Sequence, residues 1–485
     1  MLAALLEDRL FVRTQDQKIF IVKSADDSLT SLALVDPVSL SDAGSAAASD
    51  LNKIGTNNRL RRVLKTAVAR FDLSSADPAV RLAAVSEVMR ALDEPSIALL
   101  RARVAVEPNP GVKDEIEAGL AQVELDSGDP KARLNAIATL ARRLRPEVRN
   151  RIAGMLEQSS DGTFAESDPD VRRAAAAAVR SIDRARTFYS GVETLFFGLS
   201  LGSVLVLIAI GLAITFGVMG VINMAHGELM MLGAYTTYVV QLVLPNHIGL
   251  SVLVAIPAAF LVAAAAGVII ERTIIRFLYG RPLETLLATF GVSLFLQQLV
   301  RSVFSANNRS VVTPDWMSGS LQINEALAIT FNRLYIVIFT LVVFGILLIV
   351  LKRTRLGLDI RAVAQNRAMA RSMGIRSEWV DAMTFGLGSG IAGVAGVALS
   401  QLTNVGPNLG QSYIIDSFMV VVFGGVGNLW GTFIGGISMG VVNKLLEPYA
   451  GAVLAKIVVL VALILFIQRR PRGLFPQTGR AAEGL

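Results

Sequence analysis

Residues 194–227 read TLFFGLSLGSVLVLIAIGLAITFGVMGVINMAHG, an unbroken run of 34 residues without Asp, Glu, Lys or Arg. A helix needs about 20 apolar residues to cross the hydrocarbon core of a bilayer. The run is therefore longer than one membrane span and far longer than a soluble core helix needs. A second run, of 42 such residues, separates Glu228 from Glu271. Together the two runs predict that the chain from residue 191 onward is a polytopic transmembrane domain.

The same reading, continued to the C-terminus, predicts nine spans. The seventh and eighth are short and rich in glycine, which makes them candidates for half-spans. The nine lie near residues 193–217, 228–244, 250–271, 284–304, 333–351, 383–402, 412–426, 431–446 and 452–468.

Basic residues predict the orientation of these spans. After residue 190 the chain holds 19 Lys and Arg, of which 14 lie in the loop 272–284, the loop 352–382 and the tail after residue 468. With nine spans these three segments fall on one face, which the positive-inside rule assigns to the cytoplasm. The C-terminus is then cytoplasmic, and residue 190 lies outside.

Composition excludes several classes of protein. The net charge of +7 lies entirely in the apolar half, because residues 1–190 hold 27 basic and 27 acidic side chains. A basic surplus within a membrane domain does not form a nucleic-acid surface, so no nucleic-acid partner is expected. The chain has no cysteine, which excludes a disulfide scaffold, a thiol enzyme and a Cys-ligated metal site.

The first 190 residues predict a soluble domain of helical repeats. Residues 9–23 hold two apolar stretches around a polar turn, which favours a small hairpin. From residue 57 onward, a capping position and a proline precede Ala/Leu-rich helices five times, as in Asp77-Pro78 and Asp129-Pro130. The pattern resembles a HEAT-type α-solenoid, although its spacings are irregular. We expect the domain either to dock a protein partner or to act as a scaffold.

The predicted fold is therefore all-α, with a transmembrane helix bundle of about nine spans behind a HEAT-like repeat domain and a small hairpin. Residues 1–8 lack the basic region and the long apolar stretch of a signal peptide. Either the native start lies upstream, which we favour, or residues 1–190 are cytoplasmic and a span is miscounted. The expected domains are 1–56 (N-terminal segment with the hairpin), 57–190 (helical repeats), 191–475 (transmembrane domain) and 476–485 (cytoplasmic tail).

Glycines mark close helix packing and two interrupted membrane segments. Gly427, Gly431 and Gly435 recur at four-residue spacing, as do the pairs Gly386 with Gly390 and Gly436 with Gly440, and small residues let helix backbones approach in lipid. Polar residues interrupt the segment 217–228, and glycines break the segment 424–431. Such interruptions occur where backbone lines a cavity or is buried in protein, so both are candidates for a transport route.

The loop after the fifth span contains a predicted helix over residues 357–374. Asp359 suits its positive N-terminal turn, Arg371 its last turn, and Gly374 a left-handed stop. Ile360, Val363 and Ala364 form a small apolar patch among arginines. The helix is either a solvated amphipathic loop or a segment that docks into a groove on a cytoplasmic partner.

Several motifs resemble the branched-chain amino-acid type of ABC importer permeases, over about residues 190–475. They include Asn223-Met-Ala-His226-Gly-Glu228, Arg361-Ala-Val-Ala-Gln-Asn366 and Val422-Phe-Gly424-Gly425-Val-Gly427-Asn428. Within that family, Arg281-Pro-Leu-Glu284 and Ala306-Asn307-Asn308 most resemble the urea-importer permeases, which also tend to carry a long N-terminal extension.

The resemblance implies a bacterial inner-membrane subunit that moves urea from periplasm to cytoplasm. A homologous second permease, two cytoplasmic ATP-binding subunits and a periplasmic substrate-binding protein would complete the importer, in contact with membrane lipid. The chain has no G-x-x-x-x-G-K-[ST] motif, so a transport subunit rather than an enzyme is expected, without catalytic residues, cofactor or metal. The loop 357–374 is similar to the coupling helix of the family, and its coupling candidates are Asp359, Arg361, Val363, Asn366, Arg367, Met369 and Gly374.

Three alternatives stay open. The chain could be a branched-chain amino-acid permease, or a stand-alone channel for urea or small amides, since the missing ATPase motif fits a passive channel equally well. In the third alternative, the repeat domain is a signalling module and the membrane half is its anchor.

A path for urea needs hydrogen-bond acceptors and a few donors without a strong field, because the solute is small, neutral and polar. Gln297 and Gln298, deep in an apolar span, are the favoured lining residues. A structural role, such as capping the first turn of the second span, is favoured over transport for His226, and the two roles weigh equally for Glu228. For Asp416 a helix-start cap is favoured over a contact with incoming substrate, and Lys444 either snorkels outward or pairs with Glu447. The pathway candidates are Asn223, His226, Glu228, Thr289, Gln297, Gln298, Asn404, Asp416 and Asn428.

Overall fold

A computed structural model describes residues 1–23, 31–91, 93–158, 160 and 162–475 of the chain. The predicted tail 476–485 lies outside these residues. The chain divides into two compact units, Met1–Arg186 and Thr187–Leu485, four residues before the domain boundary expected from the sequence.

The first unit opens with a five-stranded antiparallel sheet, so the all-α prediction is wrong. β1 and β2 form the hairpin expected at residues 9–23, with Phe11 opposite Phe20. Strand β4 reads DAGSAA and lacks the β-branched and aromatic residues by which a strand is recognised. Helix α1 is Leu2–Leu6, and the strands are β1 (Leu10–Arg13), β2 (Ile19–Val22), β3 (Ser31–Val35), β4 (Asp42–Ala47) and β5 (Leu51–Lys53), in the order β4-β3-β2-β1-β5.

Short helices follow the sheet, and their starts match the capping pattern. The Asp77 carboxylate accepts the Ala79 N–H at 2.8 Å, and the Asp129 carboxylate accepts the Lys131 N–H at 3.0 Å. Arg145 is the exception, because its side chain makes no capping bond within the described residues. Neighbouring helices pack on one another, while membership of the HEAT class stays a prediction. The helices are α2 (Asn58–Asp72), α3 (Pro78–Val88), α4 (Glu94–Val106), α5 (Pro110–Glu124), α6 (Pro130–Leu140) and α7 (Pro146–Gly154).

Buried arginine–glutamate pairs tie these helices together. Arg81 on α3 donates through Nη2 to Glu107 Oε1 at 2.7 Å and through Nη1 to the Ser75 carbonyl at 2.8 Å. Arg133 on α6 makes the corresponding pair with Glu166 at 2.8 Å. Because both Arg81 and Glu107 are buried, removal of Glu107 leaves the Arg81 guanidinium without its charged partner.

Glu107 is the C-cap of α4, and we expect Glu107→Gln to lower the local opening free energy of α3 and α4 by about 2 kcal/mol, since the Arg81 guanidinium loses a charged acceptor. The Arg81 hydrogen bond holds the pKa of Glu107 at about 2, below its ordinary 4.5. A depressed pKa contributes stability above the unfolded value and loses it as pH falls through the folded one. The difference between wild type and variant should therefore shrink between pH 4.5 and about 2.

Hydrogen exchange of the full chain, resolved by peptide, measures this opening free energy. Glu117→Gln is the matched control, because Glu117 is exposed on the next helix, α5, and its replacement should change nothing. Equal protection of α3 in Glu107→Gln and wild type would contradict a stabilising role for the pair.

Helices α8 to α17 and a two-stranded antiparallel sheet make up the rest of the described chain, and α8 begins within the first unit. The elements are α8 (Pro169–Met219), α9 (His226–Val243), α10 (Ile248–Thr273), α11 (Pro282–Phe304), β6 (Ser320–Asn324), β7 (Leu327–Thr330), α12 (Phe331–Arg353), α13 (Arg355–Gln365), α14 (Arg367–Ser372), α15 (Ser377–Ser400), α16 (Leu409–Gly424) and α17 (Leu429–Arg469).

Six helices within the described residues are long and apolar enough to cross a membrane: α8, α10, α11, α12, α15 and α17. The other predicted spans also fall on helices. The second lies on α9, the seventh on the 16-residue α16, and the eighth and ninth on the two parts of α17. A kink at Gly451, beside Pro448, divides α17. The count of nine crossings stays a prediction.

Glycines let α8 and α17 touch along their backbones, as the glycine spacing predicts. A Cβ on Gly202 would lie 2.8 Å from Ile437 Cα, and a Cβ on Gly198 would lie 2.7 Å from Val441 Cα. Across the crossing, Gly440 faces the backbone of Gly202. No larger side chain fits here without moving a helix.

Segments predicted to share one side of the membrane contact each other. On the predicted outer side, the Arg309 N–H donates to the Val405 carbonyl at 2.7 Å, and Arg301 Nη2 donates to Asn408 Oδ1 at 2.7 Å. On the predicted inner side, the Leu474 N–H donates to the Phe423 carbonyl at 2.8 Å. These contacts are those that the predicted topology requires.

Candidate functional site

The segment 220–225 between α8 and α9 is not helical, as the interrupted sequence predicts. Asn223 Oδ1 accepts the Ala225 N–H at 3.0 Å and turns the chain into α9. Thr289 of α11 also contacts this segment, because its hydroxyl accepts a hydrogen bond from the Met224 N–H at 3.1 Å. Both side chains are buried, and the Asn223 amide nitrogen has no hydrogen-bond partner among the described residues.

Glu228 is a buried carboxylate in the first turn of α9. Its Oε1 accepts hydrogen bonds from Gln297 Nε2 at 2.7 Å and from Ser293 Oγ at 3.2 Å. The positive end of α9 adds a favourable field, while Oε2 has no partner among the described residues. We call Asn223, Glu228, Thr289, Ser293 and Gln297 the polar seam.

The capping role considered for His226 and Glu228 is wrong. Ala225 is the N-cap of α9, and no side chain bonds to this helix start in the described chain. His226 Nε2 lies 2.9 Å from the carbonyl oxygen of Ile208 on α8, whereas the Glu228 carboxylate bonds to α11. His226 therefore belongs to the packing of α8 against α9, and Glu228 belongs to the seam.

Ser293 was not among the residues predicted from the sequence, although its spacing from two predicted residues indicates it. Thr289, Ser293 and Gln297 recur at four-residue spacing, which places three polar side chains on one face of α11. All three are buried, while Gln298 at the next position is exposed on another face. The stripe explains why Gln297, and not Gln298, reaches Glu228.

Beside the seam, an apolar cleft of about 590 Å³ separates α10 from α11. Ile270 lines it from α10, and Gly291 and Leu296 line it from α11. Leu296 precedes Gln297, so the cleft and the seam occupy adjacent faces of the same helix turn. The α11 helix is thus held through polar contacts on one face and borders open space on another.

The remaining pathway candidates do not join the seam. Asn404 is exposed beyond the end of α15. Asp416 lies within α16 and pairs with Lys456 of α17 at 2.9 Å, so the favoured helix-start cap is wrong. Asn428 is the N-cap of α17, where its Oδ1 accepts the Gly431 N–H at 3.1 Å. The predicted pair of Lys444 with Glu447 is confirmed at 2.5 Å.

The loop between α12 and α15 contains two helices, α13 and α14, so the single helix predicted over 357–374 is wrong. Asn366 leaves the helical conformation and caps α14, with Oδ1 accepting the Met369 N–H at 2.9 Å. Thr354 caps α13, which places Asp359 beyond the first turn and overturns its predicted position there. Arg371 lies in the last turn of α14, and Gly374 has φ +85°, as predicted.

The apolar patch of this loop faces inward. Ile360 and Val363 are buried against Val380 of α15, so Val363 is not available for a partner. The exposed apolar side chains are instead Leu358, Met369, Met373 and Trp379. With the exposed Arg361 and Asn366, these four residues form what we call the coupling face.

Arg367 anchors α14 to the membrane helices. It forms an ion pair with the buried Asp381 of α15 and lies over the ring of Tyr279, 4.4 Å from its centroid. Burial, followed by the nearby carboxylates of Asp381 and Glu271, raises the pKa of the Tyr279 phenol, so it stays protonated. Arg367 therefore joins α14 to α15.

Comparisons with known proteins address the membrane half. The family described as "Branched-chain amino acid transport system / permease component" matches residues 194–467. The chain is 33% identical to the high-affinity branched-chain amino acid transport system permease protein BraD of Pseudomonas aeruginosa, over 59% of this chain and 96% of BraD. It is 33% identical to LivH of Salmonella typhimurium, over 58% of this chain and 94% of that protein, and 24% identical to LivM of Escherichia coli, over 58% and 69%. No solved structure matches the chain.

Proposed function

The chain belongs to the family of branched-chain amino acid transport system permease components, and from this premise we propose that it is the membrane permease subunit of an ATP-driven importer of urea. The observation that carries the proposal is the polar seam. A buried carboxylate oxygen without a protein partner, beside hydroxyl and amide groups, is costly in a membrane domain unless it serves a polar solute.

Urea fits the chemistry of the seam. Its N–H groups complement Glu228 Oε2, and its carbonyl complements donors of the kind that Ser293 and Gln297 carry. A neutral solute also needs no counter-ion at this depth. The motifs 281–284 and 306–308 supply the independent argument for urea over other members of the family.

A branched-chain amino acid is the second candidate, favoured by the names of the relatives that share 33% identity. A zwitterionic substrate would need a cation for its carboxylate as well as an acceptor for its ammonium group. Glu228 supplies the acceptor, and Arg301, one turn along α11 from Gln297, is the nearest cation on that helix.

Importers of this kind take their energy and their substrate from partners. We assign the coupling face to one of two cytoplasmic ATP-binding subunits, because it combines exposed apolar side chains with basic ones. Likeness to both LivH and LivM supports a homologous second permease beside this one. A periplasmic substrate-binding protein would deliver the solute, and the repeat domain would dock a protein partner.

We place the C-terminus in the cytoplasm and residues 1–186 in the periplasm of a bacterial inner membrane. The positive-inside rule supports this orientation, because 14 of the 19 basic residues after residue 190 lie in the segments assigned to the cytoplasm. Protease should then cut the loop 127–130 in right-side-out vesicles. Cleavage only after lysis would contradict it.

Arg361→Glu and Asn366→Ala should each lower ATP-driven uptake about tenfold while leaving the membrane fold intact, equivalent to about 1.4 kcal/mol of lost coupling. The first reverses a charge on the coupling face, and the second removes the cap of α14. Uptake and ATP hydrolysis are measured together in proteoliposomes that contain all subunits.

Ser372→Ala is the matched control, since Ser372 is exposed at the end of α14 and bonds only to the Ala368 carbonyl of its own helix. Unchanged uptake in both test variants would argue against the coupling assignment. Loss of uptake in the control as well would show that the loop tolerates no substitution.

A further inference from the structure

Helix α2 carries an apolar face that the first unit does not cover. Ala69 of α2 and Leu73 at its C-cap are buried with residues of α3, and Leu64, next to the outer stripe, is buried as well. On the outer side, Leu60, Val63 and Phe71 are 41%, 61% and 72% exposed. At 100° per residue, Leu60, Val63, Ala67 and Phe71 fall within one narrow stripe along the helix.

The same helix is strongly basic. Its 15 residues include five Lys or Arg and one acidic residue. Arg61 pairs with Asp8 and Arg70 pairs with Asp93, whereas Arg59, Arg62 and Lys65 form no ion pair with any described residue. Arg59 lies at the edge of the apolar stripe, about 40° beyond Val63, whereas Arg62 and Lys65 lie on the opposite, polar face of the helix.

We propose that α2 lies on an anionic phospholipid surface, with Leu60, Val63 and Phe71 inserted at the level of the acyl–headgroup boundary and Arg59, Arg62 and Lys65 among the headgroups. An apolar stripe with Phe and Leu, a polar face that carries unpaired cations, and low overall hydrophobicity are the composition of an interfacial helix. The unpaired cations indicate that the lipid is anionic. A zwitterionic surface would bury the apolar stripe equally well, but it would offer no net negative charge to the cations.

The occupant is a bilayer rather than another protein for two reasons. Three long, flexible cations suit a fluid array of phosphates, and the chain is itself anchored in a membrane, so lipid is always present. This inference does not depend on the transported solute, because it uses no residue of the seam or of the coupling face.

The absence of cysteine in the chain allows a clean test with the full-length protein. A Val63→Cys variant carries a nitroxide label in nanodiscs of phosphatidylcholine, with and without phosphatidylglycerol. Collision of the label with oxygen, which concentrates in lipid, is compared with collision with a water-soluble nickel chelate. Glu117→Cys, exposed on α5 of the same unit, is the aqueous control.

In phosphatidylglycerol nanodiscs, the oxygen-to-nickel ratio at residue 63 should exceed that at residue 117 several-fold, and it should fall towards the control in pure phosphatidylcholine. A ratio equal to the control in both membranes would overturn the proposal. So would a label shielded from both reagents, because protein would then cover α2.

A charge-reversed chain separates the contribution of the cations. Arg59→Glu, Arg62→Glu and Lys65→Glu together should abolish the high ratio at residue 63. Lys113→Glu with Lys131→Glu, two exposed lysines on α5 and α6, should leave it unchanged. Retention of the ratio in the triple variant would overturn the assignment to anionic lipid.

Discussion

Replacing Glu228 with alanine is expected to reduce uptake about a hundredfold. The change removes the free acceptor Oε2 and leaves the Gln297 amide and the Ser293 hydroxyl without their buried acceptor. Each unsatisfied buried group costs about 1–3 kcal/mol, and two such losses correspond to roughly two decades in rate. The measurement is the initial rate of labelled-solute uptake per inserted transporter.

Two further variants separate transport from folding. Glu228→Gln keeps the shape and one acceptor oxygen, so about a tenfold reduction is expected, with normal amounts of folded protein. Gln298→Ala is the matched control, because Gln298 is exposed on α11 next to the seam residue Gln297. Wild-type uptake by Glu228→Ala would remove the seam from the transport path. Loss of folded protein in both Glu228 variants would assign the residue to structure alone.

Gly440→Leu is expected to prevent the membrane unit from folding. The backbone of Gly440 faces that of Gly202, and a Cβ at Gly440 would lie 2.6 Å from the Gly198 carbonyl oxygen. A leucine would therefore force α8 and α17 apart, at a cost of about 3 kcal/mol or more, because rigid backbone cannot yield as a side chain can. The yield of monodisperse protein in detergent, and its thermal midpoint, report the loss.

The chain offers a matched control for this substitution. Gly345 lies within α12 and has no atom within 4 Å of the position of a Cβ. Gly345→Leu should therefore keep the wild-type yield, and it should gain slightly from higher helix propensity. Gly440→Ala should fall between the two. Equal yields for Gly440→Leu and Gly345→Leu would contradict the close contact of α8 and α17.

Periodic features of the sequence predicted structure well. Uncharged runs located the membrane helices, Asp-Pro starts located α3 and α6, and glycine spacing predicted close packing at Gly436 and Gly440 without indicating α8 as the partner helix. In each case the physical cause acts locally or repeats along one helix. Thr289, Ser293 and Gln297 show that the same rule could have extended the candidate site to Ser293.

Features that depend on contacts between distant parts of the chain could not be predicted from the sequence. Asp416 was expected to cap a helix, but its partner Lys456 lies 40 residues away in the chain. Val363 belongs to an amphipathic pattern that fits solvent, a partner or the chain's own bundle, and only packing against Val380 decides among them. Strand β4 is specified by its pairing with β3 rather than by its own composition.

Uptake of labelled urea and of labelled leucine, in cells that lack this gene and then regain it, tests the central claim most directly. Wild type should restore energy-dependent accumulation of urea, Glu228→Ala should not, and leucine uptake should stay at its background. Restoration of leucine uptake without urea, or urea flux that persists at full rate when the ATP-binding subunits are removed, would contradict the account.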